Sequence, residues 1–438
     1  MNYFILMIIV FILGYCCIAL EHPLKINKSA TALLLAVLLW TFYAVFSGNY
    51  NHEDLVLHLG ETSEIVFFLL GAMTIVEIVD RHEGFRLITD RIKTTNKRKL
   101  LWIVGILTFF MSSVLDNMTT AIVMCALLRK LIAEKKDRWF FCGIVILAAN
   151  AGGAFSPIGD VTTIMLWIKG NVTATKIIIE TFIPSLVSLL VPLTAISFML
   201  KGEILTPEKN MEKMQSSINK TQSIVILILG VGSLLFVPIF KTITHLPPYL
   251  GILFGLSLLW FVTEIMHKTN KENYQRLNVS NVITKVDVPS VLFFLGILMA
   301  VAALQSAGHL KLLSSTLNTI GNIYVIDLII GIFSSIIDNV PLVAAAIGMY
   351  PTASAEMAIA NPDLAHFVVD GAFWEFLAYC AGTGGSILII GSAAGVAIMG
   401  MEKIDFIWYL KKISLWALLG YFAGGGVFVL LSKFVLHT

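Results

Sequence analysis

The sequence predicts an all-α polytopic membrane protein: two inverted repeats, each with five spans and one re-entrant hairpin, with Gly/Pro-broken helices. Three observations carry that expectation. Hydrophobic residues make up 57% of the chain and charged ones only 13%, about half the charged share of an ordinary soluble domain. Apolar stretches recur at bilayer-spanning length. The motif SSVLDN at 112–117 returns as SSIIDN at 334–339. A net charge of +2 gives no nucleic-acid footprint, so the lipid bilayer is the partner that the composition implies.

The hydrophobic segments run 2–20, 29–47, 63–80, 100–128, 139–168, 177–200, 223–240, 249–266, 289–307, 323–350, 373–400 and 413–432. The first lacks a basic n-region and a small-x-small cleavage site, so it reads as a retained span rather than a signal peptide. Cys16, Cys17, Cys125, Cys142 and Cys380 all fall in apolar segments without metal-type spacing, and read as small core side chains.

Segment 100–128 cannot simply cross. Seven Lys/Arg lie in 81–99 and five in 129–138, so a crossing would put one dense basic loop on the wrong side. Its middle is polar, with Ser112, Ser113, Asp116 and Asn117. A re-entrant hairpin with two arms of about 13 residues, each reaching roughly 20 Å, removes the conflict. Segment 323–350 repeats the design around Ser334, Ser335, Asp338 and Asn339, and its flanks hold a single basic residue. It is expected to enter from the opposite side. Ten segments then span, with 25 Lys/Arg in the inside connections and five outside. Both termini fall outside, and no Lys or Arg is left within a span.

The repeat divides the chain into a first half, 1–200, a cytoplasmic linker, 201–222, and a second half, 223–438. Gly152-Gly153 matches Gly384-Gly385 after 232 positions, Gly159 meets Gly391, and Asp160 meets Ser392. Each half reads as three spans, a hairpin (100–128 or 323–350), a broken helix (139–168 or 373–400) and a final span. An odd number of crossings per half inverts the second half. Paired, interrupted segments of this kind point to a transport site near the membrane midplane. Close helix packing is the simpler account of glycines such as Gly420 and Gly424–Gly426. It suits 150–160 poorly, where Asn150, Ser156, Pro157 and Asp160 add polar and helix-breaking groups.

Five acids fall well within segments: Glu77, Asp116, Asp160, Asp338 and Glu375. With no intramembrane base to pair with, they are expected to line water or bind a cation. Carboxylate, amide, hydroxyl and carbonyl oxygens make a hard-cation site without soft ligands, suited to sodium. The primary site expected is Asp116, Asn117 and Thr120 facing Asn150, Ser156 and Asp160, with Na⁺ held at Asp116, Asn117, Asn150 and Asp160. Asp338 and Asn339 facing Thr383, Ser386 and Ser392 form its second-half counterpart. Ser112 and Ser334 are further candidates. Glu77 is either a deeper site acid or an ordinary helix-surface acid. Glu375 reads as a site acid or as one that snorkels at the external mouth. Asp327, Glu64 and Glu180 read as interfacial. A carboxylate that holds either sodium or a proton, and moves only when occupied, exchanges the two. No cofactor is expected.

At these motifs the sequence resembles a known family. FFLLGAMTIVE (67–77), SSVLDNMTTAIVM (112–124), NAGGAFSPIGDVTTIMLW (150–167), IDNVPLVAAAIGMY (337–350) and the run 378–410 are similar to the signature segments of NhaD-type sodium/proton antiporters, of the ion-transporter superfamily. The resemblance covers most of the membrane-embedded chain. Phe155 stands where the family often has Trp. The resemblance implies export of sodium or lithium in exchange for protons, an elevator-type movement and a homodimer. It carries binding roles onto Asp116, Asn117, Asn150, Asp160, Asp338, Asn339 and Thr383. With no Arg/Ser-rich transit segment, the expected location is a bacterial inner membrane, multi-pass. Three rivals share the composition. A sodium-coupled anion symporter would need positive potential where this chain has carboxylates. An intramembrane aspartyl protease would need Gly-x-Gly-Asp and Tyr-Asp motifs, which the sequence lacks. A channel would pass currents far above carrier turnover.

Overall fold

A computed structural model describes residues 3–48, 50–89, 92, 94–205, 219–268 and 277–436. Its principal helices are α1 (Tyr3–Ala19), α2 (Lys28–Phe46), α3 (His52–Arg81), α4 (Lys97–Leu115), α5 (Asn117–Leu131), α6 (Lys135–Ala154), α7 (Val161–Ile168) and α8 (Ala174–Met199). They continue with α9 (Lys220–Thr244), α10 (Pro248–His267), α11 (Val288–Ser306), α12 (Ile323–Phe333), α13 (Asn339–Met349), α14 (Ala372–Gly384), α15 (Ala393–Glu402) and α16 (Ser414–Leu431). Among the described residues there is no strand beyond two isolated bridges. Eight of these helices are long and apolar enough to cross a membrane, α4 among them. The protein is a multi-pass, all-helical membrane protein.

The helices sort into two bodies by what they pack against. A framework of α1–α3 and α9–α11 is built on the α2–α11 and α9–α10 pairings. A core of α4–α8 and α12–α16 is built on α4–α6, α5–α6, α12–α14 and α8–α16. Every side chain from Phe141 to Ala154 and from Ala372 to Gly384 is buried. A helix apolar on all sides belongs inside a bundle, so α6 and α14 form its axis. Large apolar side chains such as Phe198, Ile243 and Phe261 point outwards, where lipid rather than water receives them.

Small residues let the hairpin arms reach that axis. A Cβ on Gly152 would lie 2.1 Å from the Phe109 carbonyl oxygen, and one on Gly384 2.0 Å from that of Gly331. Ser112 Oγ donates to the Ala149 carbonyl at 2.6 Å, and Ser334 Oγ to the Ala381 carbonyl at 2.8 Å. These two pairs of contacts recur at the 222- and 232-residue spacings of the sequence repeat.

The breaks fall where the sequence places them. The chain leaves α4 at Asp116, whose φ of 73° lies in the left-handed region, and turns back into α5. Both arms pack on α6. They begin and end together: Lys97 Nζ reaches Asp137 at 2.6 Å, and Ile204 N and Ala133 N bond to the carbonyls of Thr95 and Leu205. The ends of α12 and α13 gather elsewhere. Tyr350 Oη bonds to Asn318, Asn171 Nδ2 reaches Thr352, and Asp370 N bonds to the Asn171 carbonyl. The broken pair α6–α7 runs from the first cluster of ends to the second.

Candidate cation-binding site

Four helix N-termini meet at the centre of the core, and each opens on an oxygen-bearing side chain. Asp116 caps α5 through Thr119 N, Asp160 caps α7 through Thr162 N, Asp338 caps α13 through Val340 N, and Ser392 caps α15 through Gly395 N. The positive end of a helix stabilises such oxygens, carboxylates above all. The preceding helices α4, α6, α12 and α14 bring C-terminal carbonyls to the same place, a potential that favours cations.

Asp160 is the hub. It is 1% exposed and accepts from both hairpin tips: Asn117 Nδ2 at 2.8 Å, and Asn339 Nδ2 at 3.3 and 3.5 Å. Thr162 N adds 3.1 Å to the other oxygen. Asn117 also donates to Asn150 Oδ1 at 3.1 Å. Asn150, fully buried in α6, donates in turn to Ser386 Oγ at 3.0 Å and Ser392 Oγ at 2.9 Å. Six expected site residues thus form one network that spans both breaks and both tips. Among the described residues no Lys or Arg bonds to Asp160. The arrangement differs from two facing half-sites: Asn339 bonds to Asp160, while Asn150 bonds to the second-half serines.

The other candidates are placed otherwise. Asp116 turns both oxygens onto Thr119, at 2.9 Å to N and 2.6 Å to Oγ1. Asp338 faces the framework, 3.8 Å from Lys28 Nζ, so the base absent from the spans arrives from the N-terminal end of α2. Thr120 is buried, and its hydroxyl has no hydrogen-bond partner among the described residues. Ser112 and Ser334 tie the arms to the axis. Ser156 ties the break to the Ser113 carbonyl at 2.5 Å, and Thr383 bonds within its own helix to Tyr379. Glu77 pairs with Arg81 at 2.8 Å, one turn away.

Three expectations for acids near the helix ends are corrected. Glu375 does not snorkel: it is fully buried on α14 beside Glu180 of α8, which Lys176 Nζ holds at 2.9 Å. Nor do Asp327 and Glu180 reach the surface expected of interfacial acids: both are fully buried. Asp327 lies on α12, which packs along α14, and neither of its oxygens has a hydrogen-bond partner among the described residues. Helix-on-helix burial of this kind carries no signature in a hydropathy profile. The pattern also missed a clamp at the end of α15, in which Glu402 takes Arg129 Nε and Arg138 Nε at 2.5 and 2.7 Å. Burial pushes the Glu402 carboxyl up, but the two guanidiniums hold it below its ordinary value.

Broken helices whose ends converge on buried oxygens inside a lipid-facing bundle define a membrane transport protein, not an enzyme. The comparisons with known proteins agree. The profile of a family described as "Citrate transporter" (CitMHS) matches residues 6–368. The chain is 48% identical to "Sodium/proton antiporter 1" of Arabidopsis thaliana, over 97% of this chain and 72% of that protein. It is 44% identical to "Sodium/proton antiporter 2" of the same plant, over 98% of this chain and all of that protein. Its identity to "Na(+)/H(+) antiporter NhaD" of Vibrio cholerae is 32%, over 94% of this chain and 89% of that protein. The chain belongs to the citrate-transporter family, within its NhaD-type branch.

Proposed function

We propose that this protein is a secondary active transporter that exchanges Na⁺ or Li⁺ for H⁺ across a bacterial inner membrane, where it serves pH homeostasis. The observation that carries the reading is Asp160, a buried carboxylate held by both hairpin tips. The Asn117 and Asn339 amides donate to it through their N–H₂ groups. A half-turn of each amide presents an oxygen in place of the N–H₂. The same two tips can then complete a sodium shell with Asp160, the Asn150 oxygen and the carbonyl ends of α4 and α6. A proton on Asp160 removes the charge that holds the cation, so proton and cation exclude each other.

The ligand set proposed is Asp160, Asn117, Asn150 and Asn339, with Ser386 and Ser392 behind Asn150. Asp116 and Asp338 act as charges close by, and Thr120 lies within the same tip. An anionic substrate would need cationic donors where this site offers a carboxylate, amides and hydroxyls. The names of the Arabidopsis and Vibrio relatives support the ion pair proposed.

Two inverted repeats, 1–200 and 223–438, are proposed as the architecture. The recurring Ser112/Ser334 and Gly152/Gly384 contacts support it, as do the separate gathering points of the two hairpins' ends. The core is proposed to move as an elevator against the framework, with the framework forming a homodimer. The test is proteoliposomes carrying a pH gradient. Na⁺ or Li⁺ should collapse the gradient. A gradient untouched by either ion from pH 6.5 to 9.5, with uptake of a dicarboxylate instead, refutes the reading.

A further inference from the structure

Lys28 and Asp338 join the two bodies. Lys28 opens α2 in the framework, and Asp338 sits at the tip of the second hairpin in the core. Their charged groups are 3.8 Å apart, with 19% and 14% of the side chains exposed. The ammonium also lies over the Phe293 ring of α11, 4.4 Å from its centroid. Lys28 is therefore held by the framework on one side and by a core carboxylate on the other. Asp338 spends Oδ1 on capping α13, at 3.3 Å from Val340 N, and turns Oδ2 to Lys28. The next residue, Asn339, is the one that holds Asp160.

The pair lies beside an open cavity of about 180 Å³. Glu21, Asn27, Lys28 and Asp287 line its framework wall, and Met118 and Ala393, beside the tip of the first hairpin and at the start of α15, line the core wall. Lys28 also borders a second, smaller cavity, which contains Asp338 itself. A hydrated cation drawn in by Glu21 and Asp287 thus meets Lys28 on its way to the second hairpin's tip.

We propose that Lys28 is a tethered competitor for the transported cation: its ammonium sits on Asp338 until a cation on its way to Asp160 displaces it there and unhooks the hairpin tip from the framework. The proposal rests on the cation-transport reading above and adds to it a residue outside the proposed ligand set. An ammonium and a sodium ion are both hard cations seeking the same carboxylate oxygen. A lysine fixed to the framework has a high effective concentration at Asp338 and needs no capture from solution. Release of Asp338 frees the tip to turn the Asn339 amide over, so that its oxygen instead of its N–H₂ faces the cation at Asp160. Local cation arrival and freeing of the core then become a single event.

The experiment measures sodium binding by calorimetry, and sodium-driven proton exchange in proteoliposomes, on four full-length proteins: the parent, Lys28→Gln, Lys28→Arg and Asp338→Asn, with the double variant Lys28→Gln/Asp338→Asn as control. Lys28→Gln should lower the sodium concentration for half-saturation about threefold to tenfold, the scale of a partly exposed ion pair. Lys28→Arg should stay near the parent value. In the Asp338→Asn background, Lys28→Gln should change nothing further. The proposal is overturned if Lys28→Gln keeps the parental half-saturation, weakens binding, or shifts it equally with Asp338 absent. A parent that binds sodium without moving protons refutes antiport but leaves the competition readable from binding alone.

Discussion

Replacing Asp160 by Asn keeps shape and removes the charge at the hub. The cost to binding follows from geometry. A sodium ion about 2.4 Å from a carboxylate oxygen gains roughly 7 kcal/mol of Coulomb energy at an effective dielectric near 20. The Asn amide oxygen still coordinates, and lighter desolvation of the neutral site returns part of the loss. A net penalty of about 3 kcal/mol weakens binding roughly 150-fold. Stability should fall far less. The new N–H₂ faces the donors of Asn117 at 2.8 Å and Asn339 at 3.3 Å, but either amide can turn over, leaving a cost of about 1–3 kcal/mol. Ser392→Ala is the matched control. It removes one of the two hydroxyls that accept from Asn150 and the cap of α15, costing about 1 kcal/mol each, and should retain substantial exchange. The assay is sodium calorimetry with proteoliposome exchange, each protein first shown to be folded by its thermal midpoint. If Asp160→Asn binds and exchanges sodium like the parent while Ser392→Ala is inert, the cation sits in the other half and the hub assignment is wrong.

Gly152→Ala and Gly384→Ala should each destabilise the protein by about 1–3 kcal/mol or more, because the added methyl meets a backbone carbonyl near 2 Å in both cases; thermal midpoints unchanged by either would contradict the close approach of arm to axis. In a cysteine-free background, Thr94→Cys and Lys135→Cys should both resist an impermeant external thiol reagent while Ala353→Cys is labelled, and opposite behaviour of the first two would turn the α4–α5 hairpin into a true span. His82, fully buried against His267 at 2.9 Å, has its pKa pushed down to about 4 by burial and then by the neighbouring imidazole. The unfolded chain takes up that proton first, so stability is whole above about pH 6.5 and is lost towards pH 4, by about 3 kcal/mol in all. Thermal unfolding in detergent at pH 7.5 and 5 should show the drop, and His82→Gln should flatten it; a parent equally stable at both values would refute the burial argument.

Hydropathy and charge alone determined that the chain is a membrane bundle, because a bilayer demands long apolar helices and asymmetric basic loops. The repeated SSxxDN and Gly-Gly runs located both hairpin tips and both helix breaks. A break needs residues that release or replace backbone hydrogen bonds, and those residue types are visible in a linear pattern. Asp160, Asn117 and Asn150 were legible for the same reason, being polar groups where polarity is costly. Tertiary structure alone decided how they combine. Asn339 turns to Asp160 instead of its own half, Asn150 crosses to Ser386 and Ser392, and Asp116 folds back on Thr119. The partner of Asp338 was equally invisible, since Lys28 stands 310 positions away in a connection the pattern assigns to the cytoplasm. Asp327 and Glu375 were misplaced because depth along a helix can be read from sequence, but which face meets another helix cannot. A side chain's partner is set by the crossing of whole helices, and those crossings are fixed by packing between segments hundreds of residues apart.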